Sequence, residues 1–462
     1  MSIKEKRNFT EGPLFWRIFG FAMPIMFTGI LQVLYNMADN IVVGKFSGDP
    51  LALGAVGSTS SLNILIVNLL LGISAGTGVL ISQHYGAKRE NDVSRTVHTA
   101  LTFALFGGIA FSIIGILISR PALLMMGTKP ELIDRAVLYM RIICLGIPAS
   151  SIYNFSAAIL RSVGDSKTPL FILSSTGLVN VILNLLFVIA FHMTVDGVAL
   201  ATIISQYVSA AVVLIVLIKR KTQCYSFSFK KYCFDTKMLK RMLYLGIPTG
   251  IQGSIFSISN VLLTSAINTL PTTAISAHTI ANSIDAITYH ACFCFSGAAM
   301  TFTGQNYGAN KHSRMKRVLI YSLIQTTIVG MIVGYTEMLF GRQIAGLFLD
   351  NANPDRLAVI DTVMEIITLV LATYFLLGIM DVISGFLRGM GYSILPTVLS
   401  LIGICVFRAM WVFFVFPLER FNSARGLMYS YPLSWMLTIL MQLVVLIFAL
   451  KKLKKLRGKT ND

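Results

Sequence analysis

The 462-residue chain is 55% apolar and only 13% charged, which is about half the charged share of an ordinary soluble domain. This composition excludes a water-soluble globule and indicates an integral membrane protein. The 38 Lys and Arg exceed the 20 Asp and Glu, giving a formal charge of +18. Because the bases lie in short loops between apolar segments, we expect contact with anionic headgroups of the lipid bilayer and no nucleic-acid partner.

The apolar segments predict an all-α protein with twelve transmembrane helices, since each segment has about the 20 residues that a bilayer requires. Turn residues separate the segments, as in Ser47-Gly48-Asp49-Pro50 and from Asn351 to Pro354. The predicted spans are 14–38, 51–78, 95–118, 136–158, 169–191, 196–218, 241–268, 273–300, 317–340, 360–386, 394–416 and 427–450.

The positions of the bases predict the orientation of the chain. If the N-terminus is inside, 28 of the 38 Lys and Arg flank the inner ends of the spans, and only 8 lie in outer loops. Basic residues concentrate on the cytoplasmic side of membrane proteins. We therefore predict a multi-pass protein of the bacterial inner membrane with both termini in the cytoplasm. No enzyme motif is apparent, and no cofactor is expected.

The chain contains an internal duplication. Gln83-His84-Tyr85-Gly86-Ala87-Lys88 recurs 222 residues later as Gln305-Asn306-Tyr307-Gly308-Ala309-Asn310, and Leu160 to Pro169 recurs as Leu387 to Pro396. An even number of spans per copy gives two parallel repeats, a design in which transporters place the substrate site between the halves. The predicted domains are an N-lobe at 1–218, a cytoplasmic linker loop at 219–240 and a C-lobe at 241–462.

Polar side chains inside the spans are costly in hydrocarbon and indicate candidate sites. In span 1, Gln32, Tyr35, Asn36 and Asp39 share one helical face. Spans 5 and 6 supply further oxygen ligands of the kind that hard cations prefer, namely Thr176, Asn180, Asn184, Thr202, Gln206 and Ser209. We interpret Asp39 as part of an ion site; the alternative is a static ion pair with Arg141 in span 4.

The C-lobe carries its own polar residues. Span 8 has His278, Asn282, Asp285 and Tyr289 on one face, and span 7 has Gln252 and Asn260. Asp285 is expected to attract a cationic substrate, on which Tyr289 can stack. The alternative is an Asp285–Arg408 ion pair. The predicted substrate cavity therefore comprises Gln32, Tyr35, Asn36, Gln252, Asn260, Asn282, Asp285 and Tyr289.

These motifs and their order resemble the multidrug and toxic compound extrusion (MATE) family over nearly the whole chain. The matching features are Pro24, Gln32 and Asp39 to Gly44 in span 1, both copies of the Gln-x-Tyr-Gly-Ala motif, and both Leu-Arg-x-x-Gly-x-Ser-x-x-Pro turns. The resemblance implies two six-helix lobes in a V-shaped bundle that exports organic cations in exchange for H⁺ or Na⁺. It also implies a cation or proton site at Asp39, Asn180, Asn184 and Thr202, although the family pattern has Asp where this chain has Asn184.

We therefore predict a secondary active antiporter for small-molecule amphipathic organic cations, functional as a monomer, with no metal beyond a possible Na⁺. One alternative is a flippase for a lipid-linked saccharide, against which the few in-span bases argue. An alternative of another class is a non-transporting membrane receptor or scaffold, which would need larger loops than this sequence has.

Overall fold

The computed structural model describes residues 8–46, 49, 51–349 and 354–460. In this part of the chain all regular secondary structure is helical, with no strand. Ser47, Gly48 and Pro50 of one predicted loop, and Asn351 to Asn353 of another, lie outside the described residues. The predicted all-α class is confirmed.

The helices follow one another with short connections. The first group comprises α1 (Leu14–Phe46), α2 (Ala52–Gly86), α3 (Glu90–Met125), α4 (Pro130–Leu145), α5 (Ile147–Ser162), α6 (Lys167–Leu185) and α7 (Val195–Lys219). The second comprises α8 (Thr236–Ile267), α9 (Thr272–Gly308), α10 (His312–Leu339), α11 (Gly341–Leu347), α12 (Arg356–Ala372), α13 (Tyr374–Gly389), α14 (Ile394–Ser400), α15 (Phe407–Met410), α16 (Ala424–Met428) and α17 (Ser430–Thr460).

Each predicted span corresponds to a helix or to consecutive helices. Ten of these segments in the described chain are long and apolar enough to cross a membrane, and the pair α4–α5, bent by 46°, is an eleventh. The twelfth, α9, has 37 residues but is less apolar, because polar side chains such as Asn282 and Asp285 interrupt it. Span 4 is therefore a broken helix, which hydropathy alone did not predict.

The duplicated motifs fold into matching turns. Helices α2 and α9 both end at the glycine of the motif, and Lys88 and Asn310 then adopt φ values of 57° and 58°. The Arg-containing repeats also turn alike, since Gly164 and Gly391 have φ values of 92° and 95°. A glycine suits this left-handed conformation because it has no Cβ. The same turn chemistry thus ends corresponding helices in each half.

The chain divides into two compact units. The first includes Phe27–Gly250, and the second includes Asn8–Met26 together with the chain from Ile251 onward. The beginning of α1 thus belongs to the second unit, and the beginning of α8 belongs to the first. The predicted lobe boundaries at 218 and 241 remain a prediction.

In the first unit, α2 and α8 approach each other through glycines. A Cβ on Gly76 would lie 2.5 to 2.6 Å from backbone atoms of Gly246 and Met242, and Gly72 faces Gly250 in the same way. Small residues allow such close approach of helices in membranes. These glycines therefore fix the contact between α2 and α8.

The predicted linker folds against the first unit. Tyr225 is fully buried, and Arg220 forms an ion pair with Asp165 at 2.8 Å. Farther along, His98 Nε2 lies 3.1 Å from the carbonyl oxygen of Ser228. The segment that joins α7 to α8 is thus anchored at several points.

In the second unit, the segment before α1 lies on the repeated motif. Gln305 Oε1 accepts a hydrogen bond from the backbone nitrogen of Phe9 at 3.1 Å, and Asn306 Nδ2 donates to the Phe9 carbonyl at 3.3 Å. Arg314 donates to the carbonyls of Phe9, Glu11 and Gly12. These bonds position the start of α1.

Candidate functional site

A polar cluster in the first unit joins α1, α6 and α7. Asn184 Nδ2 donates a hydrogen bond to Asp39 Oδ1, and it also donates to Asn180 Oδ1 at 3.3 Å. Asn180 Nδ2 in turn donates to Thr202 Oγ1 at 3.4 Å. The structure therefore brings together Asp39, Asn180, Asn184 and Thr202, the four residues of the predicted ion site.

The cluster is largely withdrawn from solvent. Asn180 and Asn184 are buried, whereas Asp39 and Thr202 are half-buried. In the described part of the chain, Asn184 Oδ1 is buried and has no hydrogen-bond partner. An acceptor of this kind is costly unless something binds to it. Next to a carboxylate, such an oxygen suits a proton donor or a cation.

Local backbone geometry presents the cluster. Four residues separate Asn180 from Asn184, so both side chains leave the same face of α6. A π-helical turn, Leu186–Ala190, follows α6 directly. Such turns occur often at functional sites. Nearby, Tyr35 donates a hydrogen bond to the Ser174 carbonyl at 3.1 Å and so joins α1 to α6.

The alternative ion pair of Asp39 with Arg141 is not formed among the described residues. Asp39 contacts Asn184. The side chain of Arg141 is exposed and lies in α4, before the bend that leads into α5. Sequence reasoning missed Tyr139, a buried residue of α4 that interacts electrostatically with Asp39. A single tyrosine within an apolar span does not by itself indicate a functional role.

In the second unit, Asp285 and Asn282 line a small cavity with Tyr431. The cavity holds about 10 Å³, which is room for one water molecule. Arg408 does not form a direct ion pair with Asp285 in the described chain. Its guanidinium instead lies 4.0 Å from the centre of the Tyr431 ring and donates to Asn260 Oδ1 at 3.3 Å.

The other predicted cavity residues have different surroundings. Gln252 is buried and accepts a hydrogen bond from Arg388 at 2.5 Å, whereas Tyr289 is 37% exposed and stacks on Phe293. Gln32 and Asn36, in the first unit, are exposed. Each unit therefore holds part of the predicted set, and their role in binding substrate stays a prediction.

Sequence reasoning also missed a buried acid in α10. Glu337 is 6% exposed, and its Oε2 accepts a hydrogen bond from Thr288 Oγ1 of α9 at 2.7 Å. Glu337 is the single acid within the predicted span 317–340, and this feature of the sequence could have indicated it. In the described residues no group of three or more His, Cys, Asp or Glu is arranged to hold a metal ion.

Helices of this length and apolarity are those of a multi-pass membrane protein. The chain matches the MatE family model over residues 24–186 and 248–414, one match in each half. It therefore belongs to the MatE family, which is a family of transporters and not of enzymes. The predicted family resemblance is confirmed.

Curated relatives and solved structures agree with this assignment. The chain is 27% identical to the probable multidrug resistance protein YoeA of Bacillus subtilis, with 93% of both chains covered. It is 24% identical to the multidrug export protein MepA of Staphylococcus aureus, covering 85% of this chain and 86% of MepA. An outward-facing structure of a multidrug resistance MATE transporter shares its fold, with a TM-score of 0.89, 21% identity and coverage of 98% and 99%.

Proposed function

We propose that this protein is a secondary active antiporter that exports amphipathic organic cations in exchange for H⁺ or Na⁺. The observation that carries the proposal is the cluster around Asp39, in which Asn184 Oδ1 is buried and unpartnered. The names of two relatives, the probable multidrug resistance protein YoeA and the multidrug export protein MepA, support small molecules as substrates.

The chemistry of the cluster allows it to bind either a proton or a Na⁺ ion. A carboxylate in a low-dielectric surrounding is costly unless it binds a proton, a cation or a charged partner. Asp39 has an amide as its partner, so it can bind either ion. We favour H⁺, because Asn184 supplies a neutral oxygen where a second carboxylate would strengthen a Na⁺ site. Alternating exposure of the sites would then couple ion entry to substrate export.

The substrate would be held by the polar and aromatic residues of the predicted cavity. Asp285 supplies negative charge, and the exposed ring of Tyr289 supplies a face for a cation. We further propose that residues 1–218 and 241–462 form the two lobes and that residues 219–240 form the linker between them. The protein would work as a monomer. Both termini would lie on the cytoplasmic side of the bacterial inner membrane.

The test compares the wild type with Asp39→Asn in proteoliposomes loaded with a fluorescent organic cation. A pH gradient and a Na⁺ gradient are imposed in separate experiments. We expect Asp39→Asn to abolish gradient-driven export and still to fold, because Asn is nearly isosteric with Asp and cheaper to bury. Expression level and thermal stability are measured alongside.

The control is Asp361→Asn, which removes an exposed acid of α12 that pairs with Arg342. This variant should export as the wild type does. Driven export at the wild-type rate by Asp39→Asn would exclude Asp39 from the coupling mechanism. Failure of the wild type to respond to either gradient would refute antiport.

A further inference from the structure

Glu337 is a buried acid whose two carboxyl oxygens have different surroundings. Oε2 accepts a hydrogen bond from Thr288 Oγ1 at 2.7 Å. Oε1 is inaccessible to solvent and has no hydrogen-bond partner in the part of the chain that the structure describes. The whole residue is only 6% exposed.

No described basic side chain neutralises Glu337. Arg342, the nearest base along the chain, is 61% exposed and forms an ion pair with Asp361. Arg408 is directed to Tyr431 and Asn260. The titratable side chains of α9 that interact electrostatically with Glu337 are Asp285 and Cys292, and neither supplies positive charge. Tyr374 of α13 interacts with Asp285 and is likewise not a base.

An ionised carboxylate in this position would be strongly destabilising. The effective cost of burying an unpaired charge is several kcal/mol. One hydrogen bond to a charged group returns only about 1.5–3 kcal/mol. A bound proton removes the charge altogether. A Na⁺ ion, as a hard cation, would need several oxygen ligands, whereas Thr288 alone accompanies Glu337 among its hydrogen-bonded partners in the described residues.

We propose that Glu337 binds a proton on Oε1 and is a second proton-carrying site of this transporter, separate from Asp39. The carboxylate takes H⁺ from a hydronium ion, whose O–H bond breaks to leave water, and becomes a neutral carboxylic acid. Oε2 keeps the hydrogen bond from Thr288. The proton site lies wholly within the second unit.

The same face of α9 offers a route for that proton. Asp285 lies three residues before Thr288, and Asn282 lies three residues before Asp285, so consecutive members of this series are neighbours on the surface of α9. Asp285 and Asn282 line the cavity with room for one water. A proton carried by water into this cavity would lie next to Asp285, which interacts electrostatically with Glu337.

Infrared spectroscopy of the purified full-length protein tests protonation without transport. At neutral pH the difference spectrum of wild type minus Glu337→Gln should show the carbonyl band of a protonated carboxyl group, since carboxyl groups common to both proteins, such as Asp39, cancel. Thr288→Val should move the same band to higher frequency, because it removes the hydrogen bond to Oε2. The control, Asp361→Asn, should leave the band unchanged.

The Thr288→Val spectrum keeps the test decisive if Glu337→Gln does not fold. An unshifted band in that variant would overturn the assignment to Glu337. A difference spectrum between wild type and Glu337→Gln without a protonated carboxyl band would show that Glu337 is ionised, and would also overturn it.

The role in transport rests on the proposed H⁺-driven antiport, and a second measurement addresses it. The number of protons taken up per exported cation should be lower for Glu337→Gln than for the wild type. An unchanged ratio would overturn the transport role. If the wild type shows no H⁺-driven export, the proposed function fails, while the infrared result still decides whether Glu337 is protonated.

Discussion

In the proposed mechanism the choice of ion depends on Asn184. Its amide nitrogen donates to both Asp39 and Asn180, which leaves Oδ1 as the buried atom without a partner in the described chain. A neutral oxygen attracts a cation less strongly than a carboxylate does. We therefore expect this one difference from the family pattern to favour protons over Na⁺ at the proposed site.

We predict that Asn184→Asp makes export more dependent on Na⁺. The variant adds a second anionic oxygen beside Asp39, and two carboxylates at one site bind a cation more tightly than one. The measurement is proteoliposome efflux at several Na⁺ concentrations without a pH gradient. We expect the variant to respond to Na⁺ several-fold more strongly than the wild type.

Asn268→Asp is the matched control, because it adds an acid at an exposed position of the α8–α9 connection, outside the predicted ion site and the predicted cavity. It should leave the Na⁺ response unchanged. If a folded Asn184→Asp protein responds to Na⁺ as the wild type does, then this position does not select the ion.

Residues that follow a helical period could be predicted from the sequence, and partners on other helices could not. The spacing of Asn180 and Asn184 placed both on one face, and Asn184 bonds directly to Asp39 while Asn180 is linked to it through Asn184. The alternative, an ion pair of Asp39 with Arg141, is not formed among the described residues. Packing sets the rotation of each helix about its axis, and the sequence does not reveal that rotation. Glu337 was missed because its partner, Thr288, lies on another helix.

At the scale of helices, glycines decide how closely α2 and α8 pack. Both helices carry two glycines four residues apart, Gly72 and Gly76 on α2 with Gly246 and Gly250 on α8, and these face each other in pairs. Interhelical packing in membranes depends on close van der Waals contact, because lipid is as apolar as the side chains. A methyl group at such a contact has no space.

We predict that Gly76→Ala lowers the stability of the protein by about 1–3 kcal/mol, as overpacking does. The added Cβ would approach backbone atoms of Gly246 and Met242, which cannot rotate away. The measurement is thermal unfolding in detergent.

Gly57→Ala supplies the control on the same helix, because no atom lies within 4 Å of a Cβ built there. It should be neutral or stabilise the helix by about 0.5–1 kcal/mol. Equal melting temperatures for Gly76→Ala and Gly57→Ala would contradict the role assigned to this contact.

Hydropathy predicted which segments form spans, but it did not predict their bends. The α4–α5 bend at Gly146 and the π turn after α6 interrupt otherwise apolar runs. Helices α12 and α13 also meet at a break, at Thr373. Such breaks depend on neighbouring helices that satisfy the freed backbone groups, so composition along one segment does not reveal them.

For the molecule as a whole, charge and anchoring of the linker bear on orientation. The linker carries Lys219, Arg220, Lys221, Lys230, Lys231, Lys237 and Lys240. It is held to the first unit through Tyr225 and the Arg220–Asp165 ion pair. A basic segment of this kind is expected on the cytoplasmic side, next to anionic lipid.

We predict that Cys224 and Cys233 react with a membrane-impermeant thiol reagent only when it reaches the cytoplasmic side. Both thiols lie in the linker and are half-buried, whereas Cys144, Cys292 and Cys294 are buried in helices, and the half-buried Cys405 lies within the predicted span 394–416. In sealed cells the native protein should therefore remain unlabelled, and permeabilised cells should allow labelling.

A cysteine introduced at Asn268, an exposed residue of the α8–α9 connection, should react from outside in sealed cells. The reason is that 28 of the 38 basic residues flank what we predict to be the inner ends of the spans. The control is the double variant that carries both Cys224→Ser and Cys233→Ser. It should not be labelled even in permeabilised cells. Labelling of Cys224 or Cys233 in sealed cells would reverse the predicted orientation.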